Sequence, residues 1–397
     1  MGLDVFWYLP TQGDERYLGA EKGRREPTFS YLTQVTQAVD NLGYGGMLIG
    51  TSNRQDTWIT AASLIPLTRQ LKFLIAVRPT LMVPAVSARM AATFDILSQG
   101  RVLLNIVTGG STEQLQSDGV FEDHDTRYEI TDEWLQIWRA LSAGETIHFE
   151  GKHLRIRNGK QQIESVQKPY PTLYFGGSSE PALDVAAKHV DVYLQWGEPP
   201  AQAAEKIQRV RQLAAEKYGR TVRFGMRFHV IARETEAKAW AAAEELIQYV
   251  DDRTVSRLKE LSRKSESVGQ QRMSALVTGR SRADLEIYPN LWAGVGLARG
   301  GAGTALVGSP EKIAALIAEY QAIGVDTLVL SGYPALEEAY QFAELVFPLL
   351  PLNRPEAATY QPKISVLREL FSTLAPPAAS QAEALPAAEL ALSGAAK

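Results

Sequence analysis

Cysteine is absent from the 397 residues. That absence excludes a disulfide scaffold, a thiolate metal centre and a cysteine nucleophile, so redox chemistry would need a borrowed cofactor. Histidine is scarce too. The five, at 124, 148, 153, 189 and 229, form no helical i, i+4 pair, and no metal is expected. No apolar stretch reaches membrane-spanning length, and the opening MGLDVFWYLP runs into a strand-like segment without a basic leader, so a cytoplasmic location is expected. Neither sign of charge forms a block. With 41 basic and 45 acidic residues the formal net charge is −4, which points away from nucleic acid and membrane surfaces and toward a small-molecule partner. Neither a G-x-S-x-G nor a Walker A pattern occurs.

What is present is 45% apolar residues arranged as short β-rich runs alternating with longer stretches of helical periodicity. Strands are predicted at 4–9, 46–49, 73–77, 102–107, 172–175, 190–194, 223–231 and 327–330. Helices are predicted between most of them, at 31–42, 87–97, 131–141, 180–189, 201–218 and 310–323. Eight strands with intervening helices predict an α/β fold, a (β/α)8 TIM barrel over residues 1–352. A hairpin at 147–157 interrupts it, and a long segment, about 249–309, is inserted between strands seven and eight. Gly294, Gly296, Gly300, Gly301 and Gly303 in that insertion predict a mobile part. Residues 353–397 drift toward Ala, Pro and Ser, as expected of a disordered extension or an inter-subunit arm.

Barrel sites form at the C-terminal ends of the strands, and these ends carry polar, Gly-bearing loops. Gly176-Gly177-Ser178-Ser179 ends a strand and opens a helix, which suits a phosphate, although a Ser-capped tight turn explains the same residues. Arg227 and His229 alternate with apolar neighbours on strand seven, so both project from one face. In a barrel mouth they would make an anion clamp with a titratable partner, and elsewhere a pair held by backbone carbonyls. Arg299, in LARGGAG, is either a second clamp residue or an exposed loop arginine. Tyr333 is a cofactor donor or a rim aromatic.

Eight blocks then carry a resemblance: FWYLPTQGDERYLG (6–19), RYE (127–129), YPTLYFGGSS (170–179), WGEPP (196–200), RFGMRFHVIARET (223–235), SVGQQRMSAL (267–276), NLWAGVGLARGGAGTALVG (290–308) and LSGYPALEEAYQFAELVFPLL (330–350). In this order they resemble the FMNH2-dependent alkanesulfonate monooxygenases of the bacterial luciferase superfamily, from residue 4 to about 350. The resemblance implies an oxygenase that takes reduced FMN from a separate NAD(P)H-dependent FMN reductase, uses O2 as co-substrate and cleaves the C–S bond of a sulfonate to aldehyde and sulfite. It also implies a homo-oligomer, dimer or tetramer. Carried over by position, Arg227, His229, Arg299, Tyr333 and Trp196 match the family's active-site residues. Asn105, Thr108, Tyr128, Gly177, Ser178 and Ser179 match positions around the flavin or its phosphate. Two departures bear on the substrate: Gln12 stands where the family usually has His, and Thr51 to Trp58 is one residue shorter than the family's T-G-R-S-C-E-D-x-W and lacks its Cys. The alternatives are a related monooxygenase acting on another organosulfur or anionic substrate, and a non-catalytic flavin-binding homologue.

Overall fold

In a computed structural model that describes residues 2–51 and 54–353, the β-rich runs become strands and the amphipathic stretches become the helices that cover them. Four strands come first, β1 (Asp4–Tyr8), β2 (Gly46–Ile49), β3 (Lys72–Val77) and β4 (Val102–Ile106), each parallel to the one before. The hairpin of β5 (Ile147–Glu150) and β6 (Arg155–Gly159) interrupts the series. The series resumes with β7 (Leu173–Phe175), β8 (Val192–Trp196) and β9 (Arg223–Ala232). A second excursion contains β10 (Glu286–Tyr288), β11 (Leu291–Trp292) and β12 (Ala305–Gly308), and then β13 (Val325–Ser331) inserts between β9 and β1. Pairing of β8 with β9 closes eight parallel strands into the expected (β/α)8 barrel.

Pleating divides the side chains between two cores. Phe6, Leu48, Leu74, Leu103, Tyr174, Val192, Leu194 and Val329 form one buried cluster, the filling of the barrel. The alternate positions, among them Trp7, Met47, Ile49, Phe73, Ile75, Leu104 and Phe175, belong to the larger cluster shared with the helices. One step further along the inward rows, toward the C-terminal ends, stand Tyr8, Gly50, Ala76, Asn105, Gly176, Trp196 and Arg227. Three of these seven are Gly or Ala, so the filling stops and a cavity opens. Gly50 is required by close approach, because a Cβ there would lie 2.5 Å from the hydroxyl of Tyr8.

Several boundaries differ from the sequence expectation. The predicted strand 190–194 runs from Val192 to Trp196, because the Val190 N–H still closes the preceding helix on Ala186 O. Trp196 is therefore a strand residue and not part of the following loop. The helix predicted at 131–141 spans His124–Ser142, its start fixed by Asp123, whose carboxylate accepts from Thr126 N at 2.9 Å; this brings Tyr128 onto the helix. Ser331 is the last residue of β13 and not the first of the loop after it.

The insertion is also more regular than its Gly content suggests. It holds helices Asp252–Arg263, Val268–Ala275 and Arg282–Leu285, and its β12 adds a further parallel strand beside the C-terminal half of β9. This strand was not predicted, because Gly303, Thr304 and Gly308 around it read as a loop. Ser52, Asn53 and the C-terminal extension from residue 354 on lie outside the described residues.

Packing at the cavity floor leaves little tolerance. A Cβ on Gly176 would lie 2.3 Å from the main-chain oxygen of Leu194, so the β7–β8 contact must open to admit it. Gly176→Ala is expected to cost about 1–3 kcal/mol, as overpacking does, and urea unfolding of the variant against the parent measures it.

Candidate functional site

A cavity of about 990 Å3 lies over this floor. Its walls are the loops after β2, β4, β7 and β8, and its roof is the insertion, which contributes Leu258, Leu261, Ser265, Val268 and Met273. Three polar ties hold the roof to the barrel. Arg272 Nε lies 2.5 Å from the buried carboxylate of Glu198, which also takes Lys206 Nζ at 2.7 Å. Arg127 Nη2 pairs with Glu266 at 2.9 Å, and Ser265 Oγ donates to Gly110 O at 3.0 Å.

Arg227 and His229 both project inward from β9, in register with Val329 and Ser331 of β13, and both line the cavity. Arg227 is 6% exposed; its Nη1 donates to Phe228 O and to Val329 O at 3.4 Å, and its Nη2 donates to Ser331 Oγ at 2.8 Å. Arg299 is drawn in from the Gly-rich segment and donates to the Tyr333 hydroxyl. The ring of Tyr8 serves both arginines, at 4.9 Å from the Arg227 guanidinium carbon and 6.0 Å from that of Arg299. Among the described residues, no carboxylate comes within salt-bridge distance of either guanidinium: their partners are carbonyls, hydroxyls and aromatic faces. Burial and then the charge of Arg299 push Arg227 down to about 10, which still leaves it charged at neutral pH. Burial, then Arg227 and Arg299, hold His229 well below the usual imidazole range, so it is neutral. Tyr333, by contrast, is raised by burial and keeps its proton.

On the other side of the cavity stand Asn105 on β4, Thr108 after it, Tyr128 on its helix, and Gly177, Ser178 and Ser179 at the start of helix Glu180–His189. Ser179 is the N-cap but makes no side-chain capping bond, and its hydroxyl has no partner within the protein. The first amides of that helix therefore lack a side-chain cap and face a polar corner, which Lys206 joins by donating to Ser178 Oγ at 3.3 Å. Gly177 is needed here because a Cβ would come within 2.6 Å of Ala182 Cβ and 3.2 Å of the Tyr128 hydroxyl. Hydroxyls, an amide side chain, helix amides and a lysine are a donor set that fits a phosphorylated flavin, and the cavity is large enough for it and a small substrate.

Ten of the eleven residues singled out from the sequence line this one cavity. Tyr333 lies in a small adjoining cleft with Gln12, Tyr8 and Ser331, and reaches the cavity through Arg299. Sequence reasoning missed Tyr8, whose inward position follows from counting two residues on from Phe6, and Ser331, which is register partner to His229. It also missed Lys206, Glu198 and Arg272, for which spacing gave no signal. The two departures from the family pattern meet each other: Arg54 Nη1 lies 3.3 Å from Gln12 O at the half-exposed rim.

Among solved structures, riboflavin lyase with modified FMN and riboflavin superposes with a TM-score of 0.70 at 20% identity, over 88% of this chain and 91% of its own. EDTA monooxygenase from Chelativorans sp. BNC1 gives 0.69 at 17%, over 88% and 93%. Long-chain alkane monooxygenase gives 0.66 at 18%, over 88% and 91%. Identities this low speak for the fold alone. The sequence comparison goes further, since the model of one family, luciferase-like monooxygenase, matches residues 3–327. That span contains the whole barrel up to the start of its last strand, and on it the chain belongs to the luciferase-like monooxygenase family.

Proposed function

We propose that this protein is the oxygenating component of a two-component system: with FMNH2 from an NAD(P)H-dependent FMN reductase, and O2, it cleaves the C–S bond of an alkanesulfonate. The balanced reaction is RCH2SO3− + FMNH2 + O2 → RCHO + HSO3− + FMN + H2O. The observation that carries the reading is the pair of guanidiniums, that of Arg227 buried and that of Arg299 partly buried, with no salt-bridged carboxylate among the described residues. Two such charges call for an anion, and a sulfonate is a permanent monoanion whose three acceptor oxygens suit forked donors. A homo-oligomer in the cytoplasm belongs to the same reading.

Reduced FMN supplies the two electrons that, with O2, provide the oxygen inserted at carbon. Asn105, Thr108, Tyr128, Gly177, Ser178 and Ser179 would hold it, with Lys206 near its phosphate. Arg227 and Arg299 bind and orient the sulfonate. Tyr8 presents its π face to both cations and limits the repulsion between them. The Tyr333 hydroxyl accepts from Arg299 and so retains its own proton for donation. Trp196 forms a wall, and the insertion excludes water from the reacting groups.

EDTA monooxygenase, a structural neighbour, acts on a polyanion of another kind, and a carboxylate would also satisfy two arginines. Sulfite release decides between them. A panel of alkanesulfonates, supplied with an FMN reductase and NAD(P)H, is expected to yield sulfite with at least one member; none from any member overturns the proposal. Arg227→Ala and Arg299→Ala are each expected to lower kcat/KM for the sulfonate by about ten- to a hundredfold with the fold retained, the equivalent of about 1.5–3 kcal/mol for a lost charge-assisted bond. Wild-type turnover in both would put the anion site elsewhere. The purified protein should be nearly colourless and bind reduced FMN more tightly than oxidised FMN; an anaerobic titration with equal affinities counts against the two-component reading.

A further inference from the structure

The hydroxyl of Ser331 lies between two groups whose hydrogen-bonding options are restricted. Arginine only donates. Arg227 Nη2 is 2.8 Å from Ser331 Oγ, so the hydroxyl accepts there, and its single proton is left for its other neighbour, His229 Nδ1 at 2.7 Å. A hydroxyl oxygen can also accept twice, so the far side of the ring decides the tautomer: with Nε2 protonated in a neutral imidazole, Nδ1 is bare and takes the Ser331 proton. On the far side of the ring, Nε2 lies 3.0 Å from the carbonyl of Ala302, which only accepts, so Nε2 carries the proton. The chain therefore has one direction, from Arg227 through Ser331 and His229 to Ala302.

The groups facing the imidazole agree with a neutral ring. Arg227 adjoins it on β9 and Arg299 faces it from the Gly-rich segment, both opposing a second proton. From the loop after β13 the Tyr333 ring stacks on it, with centroids 5.2 Å apart and planes 21° apart. Glu15, the nearby carboxyl, acts on Arg299 and Tyr333. The acceptor of the Nε2 proton is itself anchored: Gly301 N donates to Gln270 Oε1 at 2.7 Å, and Gly303 O accepts from Gly296 N at 3.0 Å.

We propose that Ser331 is a positioning residue acting through His229: by accepting from Arg227 and committing its only proton to Nδ1, it fixes the imidazole as the Nε2–H tautomer and ties it to the anion-binding guanidinium. What the imidazole then does rests on the function proposed above. A ligand oxygen that takes the place of the Ala302 carbonyl meets a donor at Nε2, while Nδ1 stays engaged. A serine is suited to this, since one small hydroxyl both accepts and donates; an alanine leaves Arg227 with one partner fewer and Nδ1 free.

The test reads the ring itself. In protein labelled with 15N-histidine, the His229 signals are identified by their loss in His229→Asn, and the five histidines keep the spectrum tractable. The wild type is expected to show the neutral Nε2–H tautomer at neutral pH and to take up a second proton only well below the usual imidazole range. Ser331→Ala is expected to give mixed tautomers and a ring that takes up a proton at higher pH than in the wild type, and Ser331→Thr to keep the parent spectrum. Turnover should fall at least about tenfold in Ser331→Ala with KM within about threefold, and Thr should recover most of it. An Nδ1–H or charged His229 in the wild type overturns the proposal, as does a Ser331→Ala spectrum identical to the parent's. Should the Ala variant not fold, the wild-type and Ser331→Thr spectra decide alone. These spectra need no substrate, so failure to release sulfite from any sulfonate would sink the proposed function and leave this result standing.

Discussion

Two like charges, one buried and one partly buried, held together without a salt-bridged carboxylate among the described residues are the constraint around which the mouth of this barrel is organised. Arg227 and Arg299 repel, and Arg227 has given up most of its water. Desolvating a guanidinium costs several kcal/mol unless donors are matched and some negative potential is supplied. Here the match comes from neutral groups: the Phe228 and Val329 carbonyls, the Ser331 and Tyr333 hydroxyls, and the π face of Tyr8. None of these cancels a full charge, so the pocket stays electropositive and suited to an anion. A carboxylate placed there would have stabilised the empty protein and competed with the ligand.

Elsewhere the same protein pairs its buried carboxylates with cations. Glu198 is fully buried and is met by both Lys206 and Arg272, and Glu338 is met by Arg233. Asp14, also buried, is held by Tyr31, Arg25 and the amide of Ala335, which fixes the loop after β1 against the helix after β13. Glu198 and Glu338 are thus salt-bridged, whereas among the described residues no carboxylate lies within salt-bridge distance of Arg227 or Arg299. That contrast makes a functional reading of the arginines stronger than their burial alone would.

The barrel was legible in the sequence because parallel strands covered by helices leave long apolar runs at regular intervals, and all eight were found with boundary errors of about two residues. The errors had local causes. Val190 is β-branched and looks like strand, but its amide is still needed to close the helix before it. The inward pair was legible for a related reason: polar residues at alternate positions of an apolar strand share one face, and Arg227 and His229 both line the cavity. Tyr8 and Ser331 were hidden because a tyrosine and a serine at a strand end are ordinary, and only the register between β1, β9 and β13 gives them a role. Arg272 and Lys206 were hidden more deeply. Each lies on a helix far from the other in sequence, and their meeting at Glu198 depends on how the insertion folds back, which no spacing encodes.

That folding back also accounts for the length of the insertion. A barrel mouth is open by construction, and small layers at Gly50, Ala76 and Gly176 make this one deep. Keeping water from the reacting groups then takes a cover with its own packing, and the insertion provides one: helices over the cavity, β12 seated along β9, and a hydrophobic cluster that joins Trp292, Val295 and Leu297 to Trp240 and Leu246. The cover is tied down near Gly110 and Glu198, where polar contacts reach the loops after β4 and β8. Its Gly-rich segment carries Arg299 and the Ala302 carbonyl to the clamp. Roof and clamp are therefore one unit: whatever holds the cover in place also sets the second guanidinium and the proton on His229.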